Sequence, residues 1–245
     1  MTTILKLGGS VITEKDRPET LDGPALDRAA DAVAGRSDLV VVHGGGSFGH
    51  HHAAEHGVST TEGSTDPDAV IAIHGAMATL NRFVVSRLRD RDVPAVPVHP
   101  LSAADRDGSG ALTLPSGAPE RLLGEGYVPV LHGDVVAHGG EGVTVLSGDE
   151  IVVELAAALE ADRVGLCSAV PGVLDDDGDV IEEIREFEAV ADALGASDAT
   201  DVSGGMAGKV QSLLSMETPA SIFDLDGLAA FLDGERVGTT VHGGT

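Results

Sequence analysis

The chain of 245 residues has no tryptophan, one tyrosine, five phenylalanines and a single cysteine, Cys167. One cysteine forms no internal disulfide, and its place in an apolar run reads as core rather than as a nucleophile. Scarce aromatics and a formal net charge of −25 exclude a nucleic-acid binder, because little can stack on bases and the field repels phosphates. No apolar run approaches the length of a bilayer span. Lys6 and the Gly8-Gly9-Ser10 after it interrupt the apolar start, so a signal peptide is not expected. The expectation is a cytoplasmic protein without a membrane partner.

Lysine is nearly absent as well. Arginine outnumbers it twelve to three, within a balance of 40 acidic to 15 basic residues. Regular apolar segments argue against disorder, so the acidic surplus reads as a solvated surface suited to high salt, as in a halophile. In a chain cleared of lysine, the three that remain, Lys6, Lys15 and Lys209, are candidates for positions where an ammonium is chemically required. A protein this acidic needs local positive charge to hold an anion.

Glycine, by contrast, is abundant and clustered. His43-Gly44-Gly45-Gly46-Ser47-Phe48-Gly49-His50 follows the apolar run 39–42 and leads into a helical segment. Without Cβ atoms the backbone can approach an anion closely, and a helix start adds unpaired N–H groups and a positive dipole end. Lys6-Leu7-Gly8-Gly9-Ser10 is a second such segment; its lysine precedes the glycines, so it is not a P-loop. A third, at residues 201–209, ends in Lys209 and opens a helix over 207–217. Among His50, His51, His52 and His56, the pair His52 and His56 is spaced to chelate, but no carboxylate or cysteine of convincing spacing accompanies it. No metal site is expected, and the histidines other than His50 read as solvated or capping.

Strands are expected at 3–8, 39–42, 93–98, 128–131, 163–168, 219–223 and 237–241. Helices are expected at 22–35, 48–57, 68–91, 118–124, 149–160, 187–194, 207–217 and 225–233, with Asp22 and Asp66-Pro67 as starts. Hairpins are expected near 111–116 and 132–146, and the acidic run 175–179 reads as a solvated hairpin turn. Ser147-Gly148-Asp149-Glu150 opens a helix, where Asp149 is either a plain cap or a holder of lysines. Alternation without repeats or a long linker makes the chain α/β, one domain over 1–245: a three-layer αβα sandwich on a mostly parallel central sheet. Ligands of such sheets gather at the carboxyl ends of the strands, where the three glycine segments fall.

Three glycine loops and three lysines around one cleft suit a reaction between two anions, and phosphoryl transfer fits. The chain resembles the amino acid kinase superfamily and, within it, the isopentenyl phosphate kinases. The resemblance rests on residues 6–10 with Lys15, on 43–50, on Ser147-Gly148-Asp149 and on 203–209. It covers essentially the whole chain, and the form H-G-G-G-S-F-G-H is its subfamily-specific part. The resemblance implies ATP-dependent phosphorylation of isopentenyl phosphate to isopentenyl diphosphate in the archaeal mevalonate route. It implies that Lys6, Lys15 and Lys209 stabilise the moving phosphoryl group, that Gly45, His50 and Gly148 hold the substrate phosphate, and that Asp149 orients lysines. Gly8, Gly9, Ser10, Gly46, Ser168 and Gly205 would contact the nucleotide, with the acceptor side mainly N-terminal and the nucleotide side mainly C-terminal. Magnesium would arrive with ATP, and a homodimer is implied. Relatives tend to carry Asp-x-Asp-Gly where this chain has Ala169-Val170-Pro171-Gly172, which removes any nucleotide contact of those aspartates. The rival readings are a kinase of the same superfamily acting on UMP, an amino acid carboxylate or a phosphonate, and a non-catalytic nucleotide sensor. Ala53, Ala54, Val70, Ile73 and Met77 suit a short hydrocarbon tail better than a polar acceptor.

Overall fold

A computed structural model describes residues 1–195 and 205–244. The chain starts with β1 (Thr3–Leu7), which passes through Gly8 into a single helical turn, α1 (Gly9–Ile12). No helix was expected there; burial of Val11 and Ile12 fixes the turn. α2 (Gly23–Val33) begins where the Asp22 carboxylate accepts from the Ala25 N–H. β2 (Leu39–His43), buried throughout, runs into α3 (Gly46–His56), and α4 (Pro67–Arg89) opens behind Asp66, whose carboxylate accepts from the Asp68 N–H. Then come β3 (Ala95–Pro97), β4 (Asp105–Arg106), β5 (Leu112–Thr113), α5 (Gly117–Gly124), β6 (Val128–His132), β7 (Asp134–His138) and β8 (Gly142–Leu146). The last part holds α6 (Gly148–Ala158), β9 (Arg163–Cys167), β10 (Glu183–Ile184), α7 (Ala191–Gly195), α8 (Gly205–Leu214), β11 (Ala220–Phe223), α9 (Leu228–Leu232) and β12 (Thr239–Val241).

Eight strands form the main sheet in the order β10-β12-β11-β9-β1-β2-β6-β3, parallel except where β11 meets β12. Side chains alternate across it. Ile4, Val40 and Val42 point into one layer with Ile151, Leu155 and Leu213 of α6 and α8. Leu5, Leu7, Leu39 and Val41 point into the other, with Leu26, Met77, Leu80 and Phe231 of α2, α4 and α9. The three layers expected from the alternation of elements are therefore present, with a core on each face.

Register decides where the site lies. Leu7 is level with His43 on one side and with Cys167 on the other, so Gly8, Gly44 and Ser168 leave three adjacent parallel strands at the same height. That is the carboxyl edge of the sheet.

Five expectations need correction. The hairpin near 111–116 has its first arm outside that range, because Leu112–Thr113 pairs with Asp105–Arg106, where no strand was expected. With the β7–β8 hairpin these two-residue strands form a separate four-stranded sheet, β5-β4-β7-β8, and strands so short carry no readable periodicity. The helix expected at 187–194 divides into a 3₁₀ turn, Phe187–Ala189, and α7, and that expected at 225–233 shortens to α9. One described helix, α4, is long and apolar enough to cross a membrane by length and composition. Its Ile73, Met77, Leu80, Val84 and Leu88 are instead buried inside the protein. The acidic run forms the expected turn: Leu174 bridges Val180, and the Asp175 carboxylate accepts from the N–H groups of Asp177 and Asp179. Residues 201–204 of the third glycine segment lie outside the described residues; the rest opens α8 at Gly205, two residues before the expected start.

Candidate active site

At the carboxyl edge of the sheet is a cavity of about 800 Å³. Its wall includes every site residue singled out in the sequence: Lys6, Lys15, His50, Asp149 and Lys209, the glycines Gly8, Gly9, Gly45, Gly46, Gly148 and Gly205, and Ser10 and Ser168. α3, α6 and α8 all start on this wall, which turns three positive helix ends toward one space.

Two of the three lysines share one carboxylate. Lys6 Nζ lies 2.8 Å from Asp149 Oδ1, and Lys209 Nζ lies 3.6 Å from Asp149 Oδ2, with all three side chains at 15% exposure or less. Burial alone pushes the Asp149 carboxyl up, but the charges and hydrogen bonds of Lys6 and Lys209 outweigh it and hold the group below its ordinary value. Asp149 is not the helix cap. Ser147 takes that place, accepting from the Glu150 N–H while the Glu150 carboxylate accepts from the Ser147 N–H. The capping need is met by neighbours, and Asp149 is left for the lysines.

Lys15 is placed differently, exposed on the loop between α1 and α2. That loop is fastened to α3 through Ser47, whose Oγ donates to the Thr20 carbonyl and accepts from the Thr20 N–H, while the Ser47 carbonyl accepts from the Glu19 N–H. Opposite, His50 stands at the first turns of α3. A Cβ on Gly45 would lie 3.3 Å from His50 Cδ2, so the ring rests against a bare stretch of backbone.

The glycines do more than clear room for a ligand. A Cβ on Gly9 would fall 2.1 Å from the Gly46 nitrogen, and one on Gly46, where φ is +49°, would fall 2.1 Å from Thr13 Oγ1. The first two glycine segments thus pack backbone to backbone, a closeness only glycine permits. Sequence alone pointed to anion approach and could not show this packing.

The rear of the cavity on the α3–α4 side is apolar, with Ala53, Ile73 and Met77 in its wall. Of the five residues expected there, Ala54 is exposed on α3, and Val70 is outside the wall but packs against the cluster that holds Ala53, Ala69 and Ile73. Cys167 reaches the wall but is buried, and burial pushes its thiol up to about 12, so it stays protonated and unreactive.

A group of residues around Asp134 was missed in the sequence. His132-Gly133-Asp134 reads there as the start of a hairpin, yet Asp134 is 2% exposed and forms part of the cavity wall. Its carboxylate accepts from His74 Nδ1 at 2.9 Å, and that hydrogen bond raises the imidazole above its ordinary value against the effect of burial. His132 Nδ1 donates to the Gly133 carbonyl, leaving Nε2 to accept from His99 Nδ1 at 2.9 Å. The rings of His43 and His132 stack at 5.5 Å. The only sequence signal was a histidine closing each of two buried strands, β2 and β6, which are neighbours in the sheet.

Desolvation lowers His43 to about 4 and His132 to about 3, from a value of 6.5 when exposed. A base with a depressed folded value contributes stability above its unfolded value, and that stability is lost as pH falls through the window down to the folded value. Calorimetry of the intact chain should therefore show the melting temperature dropping between pH 6.5 and about 4. His43→Gln should give a flatter profile over that window; profiles that run parallel would remove the imidazole from the explanation.

The amino acid kinase family model matches residues 1–220. The isopentenyl phosphate kinase of Haloferax volcanii is 60% identical over 243 residues, covering 98% of both chains. That of Methanocaldococcus jannaschii is 30% identical over 239 residues, covering 91% of both. A solved structure described as isopentenyl phosphate kinase superposes with a TM-score of 0.84 at 28% identity, covering 98% of this chain and 100% of the other. The chain belongs to the amino acid kinase family, in its isopentenyl phosphate kinase branch. It is a kinase that transfers a phosphoryl group.

Proposed function

We propose that the chain transfers the γ-phosphoryl group of ATP to isopentenyl phosphate, forming isopentenyl diphosphate and ADP, as a step of isoprenoid synthesis in the archaeal mevalonate route. The observation that carries this reading is one cavity with three lysines and His50 in its wall and the apolar patch of Ala53, Ile73 and Met77 behind. A short alkyl phosphate matches that division: anion toward the cations, hydrocarbon toward the apolar wall.

The acceptor phosphate is already a nucleophile at neutral pH, so no general base is needed. One of its oxygens attacks the γ-phosphorus as the bond to the β-phosphate oxygen of ATP breaks, and ADP leaves. Catalysis then consists of alignment and charge neutralisation. Gly45, His50 and Gly148 hold the acceptor phosphate. Lys6 and Lys209, fixed by Asp149, and Lys15 from its loop take the charge that spreads over the moving group. Gly8, Gly9, Ser10, Gly46, Ser168 and Gly205 face the nucleotide. Magnesium enters with ATP, and the committed Asp149 leaves it to the phosphates. The enzyme works in the cytoplasm as a homodimer, a state that light scattering on the purified chain reads directly.

A panel of acceptors with MgATP, assayed at several salt concentrations, tests the substrate. Isopentenyl phosphate should be turned over fastest; faster turnover of UMP, glutamate or fosfomycin overturns the assignment. His50→Ala should stay folded and lose about 10²-fold in kcat/KM for isopentenyl phosphate, the order expected for one donor to a developing charge. A fully active His50→Ala enzyme would remove that residue from the acceptor site.

A further inference from the structure

The acidic surface and the histidines of α3 meet at a place the phosphoryl-transfer chemistry does not use. His51, His52 and Glu55 each bring one ligand atom to within 4.8 Å of the other two, at the rim of the cavity where His51 contributes to the wall. The spacing judged in the sequence was that of His52 and His56. The spacing that matters is His51 to Glu55, four residues apart and so on one helix face, with His52 beside them.

The bonding of His52 is the decisive observation. Its Nε2 lies 2.6 Å from Glu19 Oε1, an arrangement that puts a proton on Nε2. The other ring nitrogen, Nδ1, is shielded from solvent, has no hydrogen-bond partner, and lies 3.5 Å from Glu55 Oε2. In the neutral ring, the Nδ1 lone pair and the Glu55 carboxylate oxygen, both electron-rich, face each other at this distance. A cation between them resolves this. A histidine whose far N–H is held by a carboxylate, leaving the near nitrogen free, is the common arrangement of a metal-ligating imidazole.

We propose that His51, His52 and Glu55 bind a divalent transition metal of the zinc, cobalt and nickel class, with Glu19 orienting His52 from outside the coordination sphere. Two imidazoles and a carboxylate suit those ions rather than magnesium or calcium, which favour all-oxygen sites. Water completes the coordination at this exposed edge. The negative field of a chain with net charge −25 concentrates such cations near it. Glu19 lies on the loop that carries Lys15, so the bound metal, through His52, ties that loop to α3 at a second point besides Ser47. The site stands whatever the acceptor substrate is, because metal binding is read without turnover.

The test is titration of the full-length protein with CoCl₂, without nucleotide, in buffered high salt at pH 7.5, followed by calorimetry and by the visible d–d bands of Co²⁺. One ion per chain should bind, with bands of a four- or five-coordinate site. His51→Ala, His52→Ala and Glu55→Gln should each abolish the stoichiometric step. Glu19→Gln should weaken it by roughly 10- to 100-fold, as loss of an outer-sphere partner does. His56→Ala should bind as the parent does. Glu55→Gln lies on the helix surface, so a normal melting temperature shows that its loss of binding is not loss of fold. No saturable binding, binding that survives Glu55→Gln, or binding abolished by His56→Ala overturns the proposal. In the last case the chelate is another pair on the same helix.

Discussion

Lys209→Ala will fold and will lose about 10²- to 10³-fold in kcat, the effect of removing one preorganised charge from a developing transition state. The variant isolates chemistry from stability because of how the carboxylate is shared. Lys6 sits 2.8 Å from Asp149 and stays there when Lys209, at 3.6 Å on the other oxygen, is removed. A buried carboxylate therefore keeps its cation, and the melting temperature should stay within a few degrees of the parent. If Lys209 acts on the moving phosphoryl group alone, kcat and kcat/KM fall together while KM for ATP holds. A drop confined to KM would make it a nucleotide-binding residue without a role in transfer. Unchanged turnover would remove it from the mechanism.

Asp149→Ala should cost both fold and function. Removing one member of a buried ion pair typically costs about 3–5 kcal/mol. For a chain of this length that corresponds to a fall in melting temperature on the order of 10 °C. The triple variant Lys6→Met, Asp149→Leu, Lys209→Met separates the two losses. Replacing the whole buried ion cluster by apolar groups of similar size leaves no charge uncompensated, so the triple variant should regain most of the stability and remain inactive. Recovery of turnover in the triple variant would mean that none of the three residues serves the reaction. An Asp149→Ala chain as stable as its parent would mean that the carboxylate bears little of the lysines' charge. Acid should reproduce part of the single variant's loss. The folded value of Asp149 lies below 3.8, so its contribution is intact above that pH and is lost as pH falls through the folded value, a window that begins below that of His43.

Much of the candidate site was legible because its cationic residues stand out against a biased composition. In a chain almost without lysine, Lys6, Lys15 and Lys209 stood out, and all three line one cavity. The parallel sheet was legible from buried strands such as Leu39–His43 alternating with helices, since burial on both faces demands continuous apolar runs. The four-stranded sheet was not, because Asp105–Arg106 and Leu112–Thr113 are too short to show a period. His74, His99 and Asp134 escaped for another reason. They come from α4, from the turn after β3 and from the start of β7, and their meeting depends on packing rather than on local spacing.

The sequence by itself determined the α/β alternation, the three glycine segments, the lysines and His50, because residue identity and local periodicity carry these without reference to the rest of the chain. Only the tertiary structure decided that Asp149 joins Lys6 to Lys209 while Lys15 stands apart, that Gly9 and Gly46 pack against each other, and that Glu19 reaches His52. The physical reason is register: Leu7, His43 and Cys167 end level in adjacent parallel strands, so loops distant in sequence leave the sheet at one height and meet.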